Sequence, residues 1–257
     1  MKGWLIFVHS VRQVFGNLDA ALRVSGLLYL VQVAAQVLLI GNLMDMSDAD
    51  RRAMITAGEF PVFGFLLYLL IAAVTGLWIA VGWHRYVLTE ERPGLLPPFH
   101  ADRMLGYLGK GLLIGLILIV PMVGLGLILA LIGPALVQGG PMISLTILTL
   151  VVYLPIGIII TRMSAMLPGA ALRAGVPISA GWNATKDEFV PILVLTLASG
   201  LLLWLLWLPQ PIGALLFGRD NMLAFLWDTL VNWPILMIGI SVMTTLYGHY
   251  IEKRALT

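Results

Sequence analysis

Long apolar runs separated by short polar stretches dominate the chain. A helix needs about 20 residues to cross the ~30 Å hydrocarbon core of a membrane. Six runs have about this length or more, and they cover residues 25–44, 62–83, 107–132, 142–160, 189–208 and 223–250. The third and sixth are overlong and contain Pro121 and Pro234, so we expect a kink or a later start there. The pattern predicts an all-α integral membrane protein with six transmembrane helices.

Two shorter segments combine polar and apolar residues with a helical period. Segment 4–18 repeats its large apolar residues at steps of three and four, which places them on one helical face. Segment 178–189 does the same with Ile178, Trp182 and Phe189. We expect both to be short interfacial helices, with Trp182 at the depth of the acyl chains. A plain helical lead-in to the first span is the alternative for segment 4–18.

A weak internal repeat groups the six runs into pairs. Each pair follows a short mixed segment, at 4–18, 95–105 or 178–189. Each pair also ends in a basic or imidazole residue beside large neighbours, in the sequences GWHRYV, IITRMSA and LYGHYIEKR. The simplest architecture is three stacked helical hairpins within a single polytopic membrane domain over residues 1–257.

Composition supports a membrane protein. The chain is 60% hydrophobic and only 11% charged, and its mean hydropathy is +0.98. Soluble domains carry about a quarter charged residues, so a soluble fold is excluded. The absence of cysteine excludes disulfides and thiolate metal sites.

Basic residues indicate how the helices are oriented. With a cytoplasmic N-terminus, twelve of the fifteen Lys and Arg residues fall on the cytoplasmic side: Lys2, Arg12, Arg23, Arg85, Arg92, Arg103, Lys110, Arg162, Arg173, Lys186, Lys253 and Arg254. Only Arg51, Arg52 and Arg219 fall on the other side, together with the acidic loop 45–59. The positive-inside rule then predicts a multi-pass protein of the bacterial inner membrane with both termini in the cytoplasm.

The sequence carries no recognisable catalytic motif. A P-loop, a GxSxG elbow, an HExxH pair and a dinucleotide fingerprint are all missing. His84 and Arg85 are best explained as a positive-inside anchor, with Trp83 and Tyr86 at the lipid–water interface. A metal site built from His84 and His249 is not favoured, because neither has a ligand three or four residues away. We therefore expect no enzyme activity, no cofactor and no metal.

Three polar residues interrupt the spans themselves. Gln32 and Gln36 lie one turn apart in the first run, and Asp228 lies near the outer end of the last run. Lipid cannot satisfy amides, so the glutamines should form interhelical hydrogen bonds, or else line a polar path. A charge in hydrocarbon is energetically costly. Asp228 therefore either lies at headgroup depth, where it caps a helix or pairs with another group, or it binds a proton or cation as part of its function.

Three residues at the cytoplasmic ends of spans are candidates for lipid binding. Arg85, Arg162 and His249 each follow a long apolar run, so their side chains can reach the phosphate level. Anionic headgroups attract such residues by about 1 kcal/mol each, and arginine can grip a phosphate with two hydrogen bonds. We expect an anionic-lipid site near Arg85 and Arg162. Three independent topology anchors are the alternative.

Three stretches resemble a known family. WHRYVLTEE at 83–91, RMSAMLPGAALRAGVPISAGWNATK at 162–186 and LYGHY at 246–250 are similar to an uncharacterised family of six-span bacterial inner-membrane proteins. That family resembles the membrane domain that precedes the catalytic part of some glycerophosphodiester phosphodiesterases. The matching positions are Arg162, Ser164, Leu167, Pro168, Ser179 and Trp182, while Asp187 replaces a usual glycine. The catalytic domain's Pro-Glu-Asn sequence is absent, so the resemblance implies an inner-membrane location and no defined activity.

These features predict a non-enzymatic scaffold, assembly or regulatory component of a membrane complex. Its partners would be membrane lipids, including anionic ones, and another membrane protein, but not nucleic acid. The alternative is a transporter or lipid-handling protein whose polar path is lined by Gln32, Gln36 and Asp228. An enzyme acting on lipid is disfavoured, because no paired carboxylates or His/acid cluster share one depth.

The predicted orientation can be tested by single-cysteine labelling, since the chain has no native cysteine. We expect a membrane-impermeant thiol reagent to label cysteine at Ser47→Cys and Gln138→Cys from the periplasmic side. The same reagent should leave Ala174→Cys unlabelled until the membrane is opened. Labelling of Ala174→Cys in intact cells would show that this orientation is wrong.

Overall fold

The computed structural model describes residues 2–44, 46–172, 175–207 and 222–256, which form α-helices joined by turns and loops. No strand occurs within these four ranges. Several predicted features lie outside the described residues: Asp45 of the acidic loop, Arg173, the labelling position Ala174, Leu208 at the end of the fifth run, and Arg219.

The helices follow one another in a simple order. They are α1 (Lys2–Phe15), α2 (Leu18–Met44), α3 (Asp48–Thr56), α4 (Val62–Thr89), α5 (Ala101–Leu148), α6 (Leu154–Ser164), α7 (Leu167–Ala171), α8 (Ile178–Ala184), α9 (Phe189–Trp207) and α10 (Met222–Tyr250). A π-helical turn, Thr149–Tyr153, connects α5 to α6. The predicted interfacial segment 178–189 therefore consists of α8 and the turn before α9.

Five helical stretches are long and apolar enough to cross a membrane. By length and composition they are Leu18–Gly41, Val62–Thr89, Ala101–Gly133, Thr146–Ala171 and Phe225–Tyr250. Much of their surface is apolar and exposed; Leu38 and Leu131, for example, are both more than 80% exposed. Such surfaces are unfavourable in water and suit contact with lipid. α9 contributes a shorter apolar stretch, Phe189–Leu205.

A kink, and not a loop, separates the third and fourth predicted spans. Gly140 has a φ angle of 80°, which glycine adopts without a steric penalty. The Ser144 hydroxyl lies 2.7 Å from the carbonyl oxygen of Leu136 and 2.9 Å from that of Gly140. This hydroxyl supplies a hydrogen-bond donor where the helical backbone pattern is interrupted.

The chain divides into two compact units. The first unit consists of Met1–Gln13, Ala101–Leu201 and Ser241–Thr257, and the second of Val14–His100 and Leu202–Ile240. The core of the first unit is formed by Ile6, Ala165, Ile192, Leu195, Leu246 and Tyr250. Helices α1, α9 and α10 contribute residues to both units.

In the first unit, α1 packs on the protein through a face that includes both Ile6 and Ser10, which are fully buried. Its fully buried Ser10 hydroxyl lies 2.9 Å from the Thr245 hydroxyl of α10. Ser241, also in α10, donates a hydrogen bond of 2.6 Å to the side-chain oxygen of Gln13. Trp4, on the opposite apolar face, is half exposed. The buried face of α1 thus combines polar and apolar residues, while Trp4 on the other side remains half exposed.

In the second unit, α2 and α4 run antiparallel. Near one end the Tyr86 hydroxyl lies 3.3 Å from the Asn17 side-chain oxygen. Near the other end a Cβ atom at Gly64 would lie 2.9 Å from the carbonyl oxygen of Leu39. Only a residue without a side chain fits so close to this backbone.

The first half of α10 also runs antiparallel to α2 in this unit. The Trp233 ring nitrogen donates to the Ser25 hydroxyl at 2.8 Å. One turn further along α2, the Tyr29 hydroxyl donates to the Thr229 carbonyl oxygen at 2.9 Å. Polar side chains within apolar helices therefore fix which helices are neighbours.

Residues 90–100 form a loop that packs on the end of α4, and the helical part of the predicted segment 95–105 begins only at Ala101. The Trp78 ring nitrogen donates to the Pro97 carbonyl oxygen at 3.0 Å, and Pro97 also lies against Gly82. Trp83 and His84 are fully buried. The expectation that Trp83 flanks a topology anchor at the lipid–water interface is therefore wrong, because protein covers this side chain.

The close approach of α1 to α9 can be tested at Gly3. A Cβ atom there would lie 2.0 Å from the backbone oxygen of Pro191. We expect Gly3→Ala to destabilise the protein by about 1–3 kcal/mol, because backbone atoms must move. Thermal unfolding in detergent should show a lower Tm. Gly26→Ala is the matched control, since no atom lies within 4 Å of its new Cβ; equal Tm values for both variants would contradict this packing.

Candidate functional site

A cavity of about 380 Å³ lies between α2, α4 and α10 in the second unit. We call it the polar cavity. It is lined by Tyr29, Gln32, Val33, Gln36, Tyr68, Ala72, Phe225, Asp228, Thr229 and Asn232. On both α2 and α10 the lining residues are spaced at i, i+3, i+4 and i+7, which is one helical face. The structure thus places Gln32, Gln36 and Asp228 in the lining of one cavity.

Hydrogen bonds join the three helices around this cavity. The Gln32 side-chain nitrogen donates to the Ala72 carbonyl oxygen of α4 at 3.0 Å. The bond from Tyr29 to Thr229 ties α2 to α10 at the same level. Gln32 therefore makes the kind of interhelical bond expected for an amide in a span, which in membranes is worth about 0.6 kcal/mol.

The charge of the lining is one-sided. Asp228 is its only acidic residue, and no Lys, Arg or His side chain lines the described cavity. The amides of Gln32, Gln36 and Asn232 add oxygen acceptors as well as N–H donors. Tyr29 and Tyr68 add aromatic rings, which attract cations through their faces. A cation or a cationic group suits this combination best.

The sequence indicated only part of this lining. Tyr29, Tyr68 and Phe225 were not singled out from the sequence, because an aromatic residue in an apolar run can face lipid, a neighbouring helix or a cavity. The spacing could have indicated Tyr29 as a further lining residue, since Tyr29, Gln32 and Gln36 lie on one face of the helix. Asp228 and Asn232 are similarly one turn apart.

Arg85, one of the predicted lipid ligands, has a carboxylate partner. Its Nε donates to Glu91, whose other oxygen lies 3.0 Å from Nε2 of His100. Burial acts to raise the pKa of Glu91, but hydrogen bonds from His100 and Arg85 outweigh it and hold this pKa below its usual value. The positive charge of Arg85 is therefore balanced within the second unit.

Arg162 has a different environment in the first unit. Its side chain is only 8% exposed, and its guanidinium carbon lies 5.0 Å from the centre of the Trp182 ring, a cation–π contact. Its Nε is buried without a hydrogen-bond partner. Among the described residues no carboxylate forms an ion pair with it.

His249, the third predicted lipid ligand, also belongs to the first unit. Its Nδ1 lies 3.1 Å from the carbonyl oxygen of Arg254. A carbonyl oxygen only accepts, so Nδ1 carries the proton in this contact. A lipid site shared by Arg85, Arg162 and His249 stays a prediction.

The five long apolar stretches and the helical fold define a multi-pass helical membrane protein. No protein-family model matches the chain, and no characterised protein or solved structure is significantly similar to it. The resemblance to the membrane domain of glycerophosphodiester phosphodiesterases therefore stays a prediction.

The lowered pKa of Glu91 predicts a pH-dependent contribution to stability. A carboxyl whose pKa is lower in the folded state stabilises the fold above its unfolded pKa of about 4.3. That contribution disappears as the pH falls through the folded value. We expect Glu91→Gln to lower the Tm at pH 7 and to differ progressively less from the wild type as the pH falls below the unfolded value. Glu90→Gln is the control, and an unchanged difference at all pH values would contradict the role of Glu91.

Proposed function

We propose that the protein crosses a bacterial inner membrane six times, with both termini in the cytoplasm, and that α9 is a span in addition to the five long apolar stretches. α9 has 19 residues, which at 1.5 Å per residue extend about 28 Å. This length is close to the ~30 Å of a hydrocarbon core. The positive-inside distribution of basic residues supports an even number of spans.

We propose further that the protein is not an enzyme and that it binds a small cationic solute in the polar cavity, as a transporter does. The observation that carries this proposal is an acidic side chain in the first turn of the apolar stretch Phe225–Tyr250, in a cavity whose described lining has no basic residue. An acidic residue in a span is costly and is retained where it has a use. The cavity volume is at the lower end of the range for small-ligand sites.

The scaffold, assembly or regulatory role predicted from the sequence stays a prediction. Such a role needs a surface that distinguishes a protein partner from lipid. The exposed residues of the described spans are mostly leucine, isoleucine and valine, which lipid covers equally well. Partners, the absence of nucleic acid and the absence of a cofactor likewise stay predictions.

Binding can be tested by thermal shift in detergent at constant ionic strength. The probes are sodium, potassium, methylammonium and tetramethylammonium chloride. We expect at least one to raise the Tm of the wild type, since a ligand at about 100 times its Kd stabilises by about 2.7 kcal/mol. Asp228→Asn removes the charge and keeps the side-chain size, and it should abolish the shift.

The matched control is Asp19→Asn, because Asp19 is an exposed acid of α2 that pairs with Arg23 and lies outside the polar cavity. This variant should respond to the probe as the wild type does. An equal shift in Asp228→Asn, or no shift with any probe, would contradict the proposed site.

Measuring uptake into proteoliposomes distinguishes transport from binding alone. The cation that shifts the Tm should accumulate faster in vesicles with the wild-type protein than in vesicles with Asp228→Asn. Binding without uptake would support the cavity as a solute-binding site and would contradict the proposal that the protein is a transporter.

A further inference from the structure

A second cavity, of about 650 Å³, lies in the first unit between α5, α6 and α8. It is lined by Ile117, Val120, Pro121, Ile159, Met163, Ser179 and Trp182, and is here called the apolar cavity. Apart from Ser179 and the ring nitrogen of Trp182, the described side chains that line it offer no polar group. A polar solute would find few hydrogen-bond partners in it, whereas a hydrocarbon chain is favoured.

Arg162 stands beside this apolar lining. It precedes the lining residue Met163 on α6, and its guanidinium lies over the ring of Trp182, which also lines the cavity. More than nine tenths of its surface is buried, and its Nε has no hydrogen-bond partner. A buried charge without a counterion is unfavourable. The chemistry that would relieve it is an anionic group with oxygen acceptors.

The position of Trp182 is fixed by close packing of α8 on α6. A Cβ atom at Gly181 would lie 2.6 Å from the carbonyl oxygen of Arg162 and 3.4 Å from Cβ of Ala165. The Thr185 hydroxyl donates to the Gly181 carbonyl oxygen at 2.8 Å and so supports the end of α8. Lys110 of α5 donates to the carbonyl oxygen of Val176, in the segment that leads to α8. The packing of α8 therefore keeps Arg162, the Trp182 ring and the apolar cavity next to one another.

We propose that this cavity is a binding site for one anionic phospholipid, with an acyl chain between α5, α6 and α8 and the phosphate on Arg162. The apolar lining matches the acyl chain, and the guanidinium, which forms no ion pair with a described carboxylate, matches the phosphate, which arginine binds through two parallel hydrogen bonds. Val120 and Trp182 are 76% and 43% exposed, so the cavity is open at its edge to a lipid from the membrane. The inference is independent of the polar cavity and of Arg85.

Native mass spectrometry of the protein in mixed micelles of phosphatidylglycerol and phosphatidylethanolamine tests the site. We expect the wild type to retain phosphatidylglycerol preferentially. Arg162→Gln should reduce this retention about fivefold to tenfold, since an arginine–headgroup attraction is worth about 1 kcal/mol and 1.4 kcal/mol corresponds to tenfold. Arg162→Lys keeps a charge and should retain an intermediate amount. Ile159→Trp should lower retention by filling the cavity without changing any charge.

The matched control is Arg23→Gln, which removes an exposed arginine of α2 that pairs with Asp19. It should retain the lipid as the wild type does. Equal retention by Arg162→Gln and Arg23→Gln would overturn the headgroup assignment. Full retention by Ile159→Trp would overturn the acyl-chain assignment. Displacement of the lipid by inorganic phosphate at equal concentration would indicate a free-anion site and would also overturn the proposal.

A measurement on the wild type alone covers the case in which a variant does not fold. Phosphatidylglycerol with a photoreactive diazirine in its acyl chain is crosslinked to the protein, which is then digested and mapped. Crosslinks should concentrate on peptides containing Ile117, Ile159 and Trp182. An even distribution over all exposed apolar helices would show that no specific lipid occupies the cavity.

Discussion

A polar side chain inside a bilayer has no water to bind, and this constraint determines much of the helix packing in the protein. In the second unit Gln32 binds the backbone of α4, and Trp233 of α10 binds Ser25 of α2. In the first unit Ser241 of α10 binds Gln13 of α1. Each bond is weak, but the alternative is an unsatisfied group in hydrocarbon, so these bonds select neighbouring helices.

Small residues add specificity to this packing, because apolar side chains pack equally well against lipid and against any neighbouring helix. Gly64 meets the backbone of α2, and Gly181 meets the backbone of α6. Without a hydrophobic force between helices in lipid, such close backbone contacts provide the van der Waals contribution. At Gly181 the same contact also positions the ring of Trp182 next to the guanidinium of Arg162, so a packing feature determines the geometry of this cation–π contact.

The two cavities have opposite chemistry. The polar cavity has one carboxylate and no basic side chain in its described lining, while the apolar cavity has an adjacent arginine that pairs with no described carboxylate. The first therefore suits a small cation and the second a lipid anion with its chain. Arg85 differs from Arg162 in this respect, because the charge of Arg85 is balanced by Glu91 and requires no external ion.

The sequence by itself determined the helical class, the approximate positions of the apolar stretches and the three polar residues within them. Run length and composition suffice for these, because a span must be long and apolar wherever it packs. Only the tertiary structure placed Gln32 and Asp228 in one cavity, since their helices are almost 200 residues apart in sequence. It also decided that Arg85 is paired with Glu91 and that Arg162 forms no ion pair with a described carboxylate, because ion pairing depends on how the 90–100 loop folds back and where carboxylates come to lie.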